Sequence, residues 1–219
     1  MAERLQVNPT RMELTRLKKK LTTATRGHKL LKDKRDELMR LFLERVRENR
    51  KLRMEVEEGI RAANQNFMLA RAGMQDAVLN TALLCPKQKV SLECAVENVM
   101  SVEVPKFTFH TRTPEQRDLF SYGFAFTSGD LDDAVESLAA VFPAMLKLAE
   151  SEKSCQLMAA EIEKTRRRVN ALEHVMIPQL QETIRYITMK LDENERSTQV
   201  RLMKVKDMML QQAHGYESP

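Results

Sequence analysis

Cys85, Cys94 and His110 are the residue types from which a transition-metal site could be built. Glu161 and Glu163, beside Arg166, could form a general acid–base pair. Spacing argues against both. Structural zinc sites take their ligands as closely spaced pairs, and these three follow no such pattern; buried hairpin cysteines account for them more simply. The two glutamates sit at the spacing of surface ion pairs on a helix. The remaining histidines, His28, His174 and His214, lie far apart, and no GxxxxGK[ST], GxGxxG, HExxH or GxSxG pattern occurs. The expectation is no catalytic residue, no cofactor and no metal. The odd count of three cysteines (Cys155 is the third) has no disulfide-framework spacing and fits a reducing cytosol.

What remains is charge arranged for contact. Lys18, Lys19 and Lys20 form one basic cluster, and Arg26 and Lys29 to Arg35 continue it, interleaved with acids and threonines. A lysine run of this kind is ordinarily a solvated face. Arg166, Arg167 and Arg168 differ, because three consecutive arginines point around most of a helix and guanidinium groups prefer bidentate carboxylate partners. The net charge of +5 hides an asymmetry: residues 1–80 carry 19 basic and 11 acidic side chains, the rest 17 and 20. The basic end therefore seeks an acidic surface. A basic scaffold that binds nucleic acid is the alternative, but acids are too interspersed and aromatics for base stacking are missing there.

The elements that carry these residues are mostly helices. Aromatics make up 5% of the chain and Trp is absent, against 31% charged residues, which points to helical rods. Residues 1–83 read as an N-terminal helix, unbroken from Pro9 to Leu83, long enough to span roughly 110 Å. Pro9 suits a first turn, and Thr10 with Glu13 makes a capping box. Leu14, Leu21, His28, Arg35, Phe42, Asn49, Val56 and Ala63 form one seven-residue seam, with Leu17, Ala24, Leu31, Leu38, Arg45, Leu52 and Gly59 beside it. After Val56 the apolar set slips to Ile60, Phe67 and Met74.

Residues 84–129 change character. Lys89–Val96 and Val99–Val104 alternate around Glu97-Asn98 and predict a β-hairpin. Phe107, Phe109, Phe120, Tyr122, Phe124 and Phe126 supply material for a small knob. Residues 130–213 are helical again, with Asp130 as cap and Pro143 and Pro178 bending or interrupting the helix. Its stripe runs through Cys155, Met158, Ile162, Val169, Leu172 and Met176. It then slips one residue and continues as Ile177, Leu180, Ile184, Ile187, Leu191, Leu202, Val205 and Met209. Residues 214–219 read as a flexible tail. The predicted fold is mainly α: a long antiparallel two-helix coiled coil with a small middle insert containing a β-hairpin. The most apolar window, Ala134–Ala149, contains Glu136, Pro143 and Lys147, so no direct membrane insertion is expected. The N-terminus lacks the apolar core of a secretion signal.

Laid out this way, the chain resembles the D subunit of V-type and archaeal A-type rotary ATPases, of bacterial or archaeal kind. The resemblance rests on NPTRMEL from Asn8, KKKL from Lys18 and ATRGHKLLKDKRDEL from Ala24. At the other end it rests on ESEK from Glu150, EIEKTRRRVNALE from Glu161 and IPQL from Ile177. It implies a non-catalytic central shaft in a cytoplasmic sector peripheral to the membrane. The paired helix ends would turn inside a ring of catalytic A and regulatory B subunits. The middle segment would lie near the small F subunit and the funnel-shaped subunit of C or d type, which seats the shaft on the rotor that moves protons or sodium. Lys18, Lys19, Lys20, Arg26, Lys29 and Arg166, Arg167, Arg168 are then candidates for ring contact. Val90, Leu92, Val102, Val104, Phe107 and Phe109 are candidates for F-subunit contact or regulation.

Overall fold

The computed structural model describes residues 5–113 and 116–215. Its elements are α1 (Arg11–Gly73), α2 (Asp76–Leu83), β1 (Val90–Val99), β2 (Val102–Thr111), a 3-10 turn (Gln116–Leu119), α3 (Gly129–Ala171), a π-turn (Leu172–Met176) and α4 (Ile177–Gly215). The fold is mainly helical with one two-stranded antiparallel sheet. Of the tail expected at 214–219, residues 216–219 lie outside the described residues, and α4 runs on to Gly215.

α1 starts where its local signal says, but only the Thr10 half of the expected capping box forms, since Glu13 Oε1 accepts from Arg16 at 3.2 Å and the Thr10 N–H goes to Asn8. Thr10 Oγ1 accepts the Glu13 N–H at 3.2 Å and the Thr10 carbonyl accepts the Leu14 N–H at 3.0 Å, which satisfies donors that the first turn leaves unpaired. Pro9 precedes the cap instead of entering the helix; it belongs to a turn closed by Thr10 N–H on the Asn8 carbonyl at 2.9 Å. The expected unbroken helix to Leu83 is not formed. α1 ends at Gly73, the weakest helix former in that stretch, and Gln75 is extended at φ −72°, ψ 137°. Met74 meanwhile packs against Ala70, Leu79 and Leu131, so tertiary burial overrides the local pattern.

Ser128 precedes α3, its carbonyl taking the Leu131 N–H at 3.1 Å; Asp130 sits in the first turn, favourable to the dipole but not the cap. Pro143 lies inside α3 without ending it. Pro178 has a different consequence. Proline donates no N–H, and its ring crowds the carbonyl four residues back, at His174. The π-turn Leu172–Met176 immediately before it widens the helix and inserts one extra residue. That insertion is the slip from Met176 to Ile177 in the sequence.

The chain divides into two compact units, one built from residues up to Arg35 and from Lys164 onward, the other from Asp36–Glu163. In the first, Leu17, Leu180 and Ile187 are buried with Leu14, Leu21, Ala24, Ile184 and Leu191 around them. The two helices run antiparallel, since Arg11 pairs with Glu195 while His28 pairs with Glu173. Ahead of α1, the chain folds back so that the Leu5 N–H reaches Thr183 Oγ1 at 3.2 Å. Leu202, Val205 and Met209, expected on the seam, are exposed instead. α1 begins opposite Glu195, so α4 continues past the helix that would have covered them.

In the second unit, Leu38, Met158 and Ile162 form a cluster closed by Val102 from the hairpin. Farther along α1 the buried residues are Val56, Ala63 and Ala70, which keep the seven-residue spacing. Met74, beyond the helix end, does pack against Ala70, but the expected slip to Ile60, Phe67 and Met74 is not taken within α1, where Phe67 is exposed and Ala63 and Ala70 stay buried. The reason is close approach. A Cβ placed on Gly59 would lie 2.4 Å from Val141 Cγ2, so α3 passes too near α1 for large seam residues. Asn49 Nδ2–Ser151 Oγ (3.5 Å) and Asn66 Nδ2–Ser137 Oγ (3.4 Å) lie on either side of that crossing.

The hairpin pairs Val90 with Thr111 through to Val99 with Val102. Its turn is Met100-Ser101, not Glu97-Asn98. Both turn residues have positive φ, 51° and 69°, the backbone of a type I′ turn, and Asn98 Oδ1 accepts the Ser101 N–H at 2.9 Å.

Candidate contact surfaces

Every predicted ring-contact residue lies in the first unit. Lys18, Lys19 and Lys20 follow buried Leu17 around the helix and are exposed, as are Arg26 and Lys29. Arg166, Arg167 and Arg168 are exposed on α3 between buried Thr165 and Val169. The packed positions on either side fix that helix face, so the guanidinium groups stand outward.

A recess of about 680 Å³ opens in this unit, which sequence reasoning missed. Leu172 and Met176 of the π-turn, Ala24 and Leu180 form an apolar floor, and Arg16, Lys19 and Lys20 stand at its rim. Leu5 closes one side. Its only trace in the sequence is the stripe slip at Met176 to Ile177; the folded-back Leu5 leaves none. Nearby, His28 Nε2 lies 3.2 Å from Glu173 Oε2. That hydrogen bond, with the charges of His28, His174 and Lys32, holds the Glu173 carboxyl below its ordinary value despite slight desolvation.

The hairpin residues divide by face. Val102 and Val104 are buried, Val102 against Leu38, Met158 and Ile162, so both seat the hairpin and are not displayed by it. Glu150 Oε2 accepts the Phe107 N–H at 3.0 Å, which satisfies the outer edge of β2 at that point. The opposite face pairs Leu92 with Phe109, Cys94 with Phe107 and Val96 with Pro105 across the strands. There Val90, Leu92 and Val96 are exposed and the two phenylalanines half-buried. It is a small apolar surface open to solvent.

Chemistry is sparse elsewhere. Among the described residues no group of three His, Cys, Asp or Glu side chains is placed to hold a metal. Cys85 and Cys94 are exposed and not buried in the hairpin as expected, and burial pushes the Cys155 thiol up. Glu93 lies 3.9 Å from His110 Nε2, both exposed on the same hairpin face as Val102 and Val104 but farther from the turn.

The sequence model of the ATP synthase D-subunit family matches residues 13–207. The chain belongs to that family. It is 62% identical over 213 residues to the D subunit of the V-type ATP synthase of Acetivibrio thermocellus, covering 97% of this chain and 96% of that one. With the protein of the same name from Clostridioides difficile it shares 61% over 210 residues, 96% and 94% of the two chains. With that of Thermoanaerobacter sp. strain X514 the figure is 58% over 206 residues, 94% and 98%. The D subunit is a central-stalk component of a V-type rotary ATPase, and its work is done within a complex of other subunits. No helix among the described residues is long and apolar enough to cross a membrane.

Proposed function

We propose that the chain is the non-catalytic shaft of the complex, soluble and peripheral to the membrane, turning within a ring of catalytic A and regulatory B subunits. The observation that carries this reading is the first unit itself. It is a pair of helices with a modest apolar seam, an exposed basic surface and an α4 extension that no helix covers among the described residues. A pair that had only to be stable would bury that extension.

Coupling then needs a difference in contact free energy among orientations of the shaft, so that each orientation favours a different conformation of the ring's catalytic pairs. Exposed ion pairs are individually worth about 0–1 kcal/mol, so they can form and break on rotation without any orientation becoming a trap. Lys18 to Lys20, Arg26, Lys29 and Arg166 to Arg168 are assigned to ring contact. The exposed hairpin face, with Val90, Leu92, Phe107 and Phe109, is assigned to the F subunit or to regulation of hydrolysis; Val102 and Val104 support it from behind. The funnel-shaped subunit is assigned to the middle segment, beside the F subunit.

Replacing Arg166, Arg167 and Arg168 together by glutamine tests the ring assignment in a reconstituted complex of A, B, D and F subunits. The expected result is reduced ATP hydrolysis or torque with the complex still assembled. Unchanged activity and torque would remove these residues from the coupling surface.

A further inference from the structure

Phe124 is 98% and Phe126 87% exposed, on the connection between the 3-10 turn and α3. One exposed apolar side chain needs no explanation, but this pair has a built setting. The backbone around it is braced: Tyr122 Oη donates to Asp132 Oδ1 at 2.8 Å, Ser121 Oγ to the Ala82 carbonyl at 3.1 Å and Thr127 Oγ1 to the Gly123 carbonyl at 2.7 Å. Phe126 itself has φ +68°, a left-handed conformation that is strained for a bulky side chain and persists only where its surroundings impose it. Beside it lies a recess of about 470 Å³ walled partly by Val78 and Ala82 of α2. Phe126 lines its edge without filling it, and both rings stay largely exposed. The end of α2, tied to this loop through Ala82, adds exposed Leu83 and Leu84.

Along the chain the pair sits in an acidic stretch. From Asp118 to Glu136 the sequence holds five carboxylates and no lysine, arginine or histidine. That composition repels an anionic membrane surface and complements a basic protein surface.

We propose that Phe124 and Phe126 are paired anchors that insert into an apolar socket on a basic surface of another protein subunit. Aromatic side chains held rigidly before binding lose little freedom on docking, which is why they dominate interface energetics. The carboxylates around the loop orient the approach. Seeking that subunit in the membrane-bound part of the complex rests on the shaft reading above; the docking element does not.

The test uses the full chain carrying Phe124→Ser and Phe126→Ser, assembled with the remaining soluble subunits and mixed with membranes stripped of their soluble sector. The wild-type complex should rebind saturably, and trypsin treatment of the membranes should abolish rebinding. The variant should rebind about 100-fold more weakly, roughly tenfold for each anchor, with ATP hydrolysis by the soluble complex unchanged. Equal rebinding overturns the proposal. So does equal binding of the wild type to protein-free phosphatidylglycerol vesicles, which makes the pair a lipid anchor, or a wild-type dimer that the variant renders monomeric. Failure of the soluble complex to assemble would count against the shaft reading instead. A second measurement then still decides. The chain has no tryptophan, so Phe126→Trp, labelled as 5-hydroxytryptophan in the chain alone, reports burial on stripped membranes by a blue-shifted emission. A shift lost on trypsin treatment supports the socket, and an unchanged spectrum refutes it.

Discussion

Gly59→Ala should destabilise the unit formed by residues 36–163, although alanine is the better helix former. Two effects oppose each other. Replacing glycine inside a helix gains about 1 kcal/mol of propensity. Against this, the new Cβ would lie 2.4 Å from Val141 Cγ2 and 3.3 Å from Val141 Cγ1. Both branches of the valine face the glycine, so rotating χ1 exchanges one clash for another. Relief must come from backbone movement, for which overpacking typically costs about 1–3 kcal/mol. Pro143, two residues along, leaves the Ala139 carbonyl without its helical donor and gives α3 a soft point, which places the cost near the middle of that range. The expected net loss is about 1 kcal/mol. Val141→Ala removes the obstacle, so adding Gly59→Ala to that background should recover about 1 kcal/mol. Urea unfolding followed by circular dichroism measures the cycle, with amide exchange near Gly59 and Val141 assigning the transition. A coupling energy within about 0.5 kcal/mol of zero, the range found for independent sites, would refute the close-approach argument.

Three further outcomes follow from local geometry. The Glu173 carboxyl is held low chiefly by its hydrogen bond to His28, so its contribution is present above the unfolded value and is lost as pH falls through the lowered folded value. Glu173→Gln should therefore flatten the fall in melting temperature on the acid side, and an unchanged acid profile would show the pair is not formed in solution. Burial, then the hydrogen bond to Asp132, pushes the Tyr122 phenol above the ordinary tyrosine range. The neutral phenol thus stabilises the fold below the unfolded value and loses that contribution at higher pH; Tyr122→Phe should cost about 1 kcal/mol. Its difference absorbance should also lack one late phenol ionisation, and loss of an early one instead would contradict the assignment. Deleting Val175 together with Pro178→Ala should convert Leu172–Met176 to ordinary helix with little loss of stability, because the stripe then runs without a slip. A comparable loss from deleting one residue near Met158 would show the π-turn does not absorb the extra residue.

What is legible in the sequence is what is local. Thr10 with Glu13 marks the start of α1, and the jump from Met176 to Ile177 marks the π-turn, because both leave their trace within a few residues. The hairpin is legible but its turn is not: Met100 and Ser101 take positive φ without the Asn-Gly signal, and Asn98 serves the turn as an acceptor from outside it. Alternation does not say which hairpin face is covered, so Val102 and Val104 fall together with residues that remain exposed. The break at Met74 depends on Leu131, far along the chain, and the basic-rimmed recess depends on Leu5 folding back. Phe124 and Phe126 have the composition of a packed knob, yet only Phe120 and Tyr122 of that group pack edge to face.

The seam of the second unit explains why small and polar residues sit where a stable pair would carry leucine. A uniform leucine stripe accepts several registers of nearly equal energy. Here Gly59 must face Val141, with Asn66 opposite Ser137 and Asn49 opposite Ser151. Sliding one helix by a heptad would set Val141 against Leu52 or Asn66 and Gly59 against Ala134 or Leu148, while both Asn–Ser contacts would be lost. Each term is small, but all are lost together, so the competing registers are disfavoured even though the native one is only moderately stable. A pair of helices that carries torque has to resist sliding as well as melting. Residues that discriminate between registers therefore serve it better than residues that only add buried area.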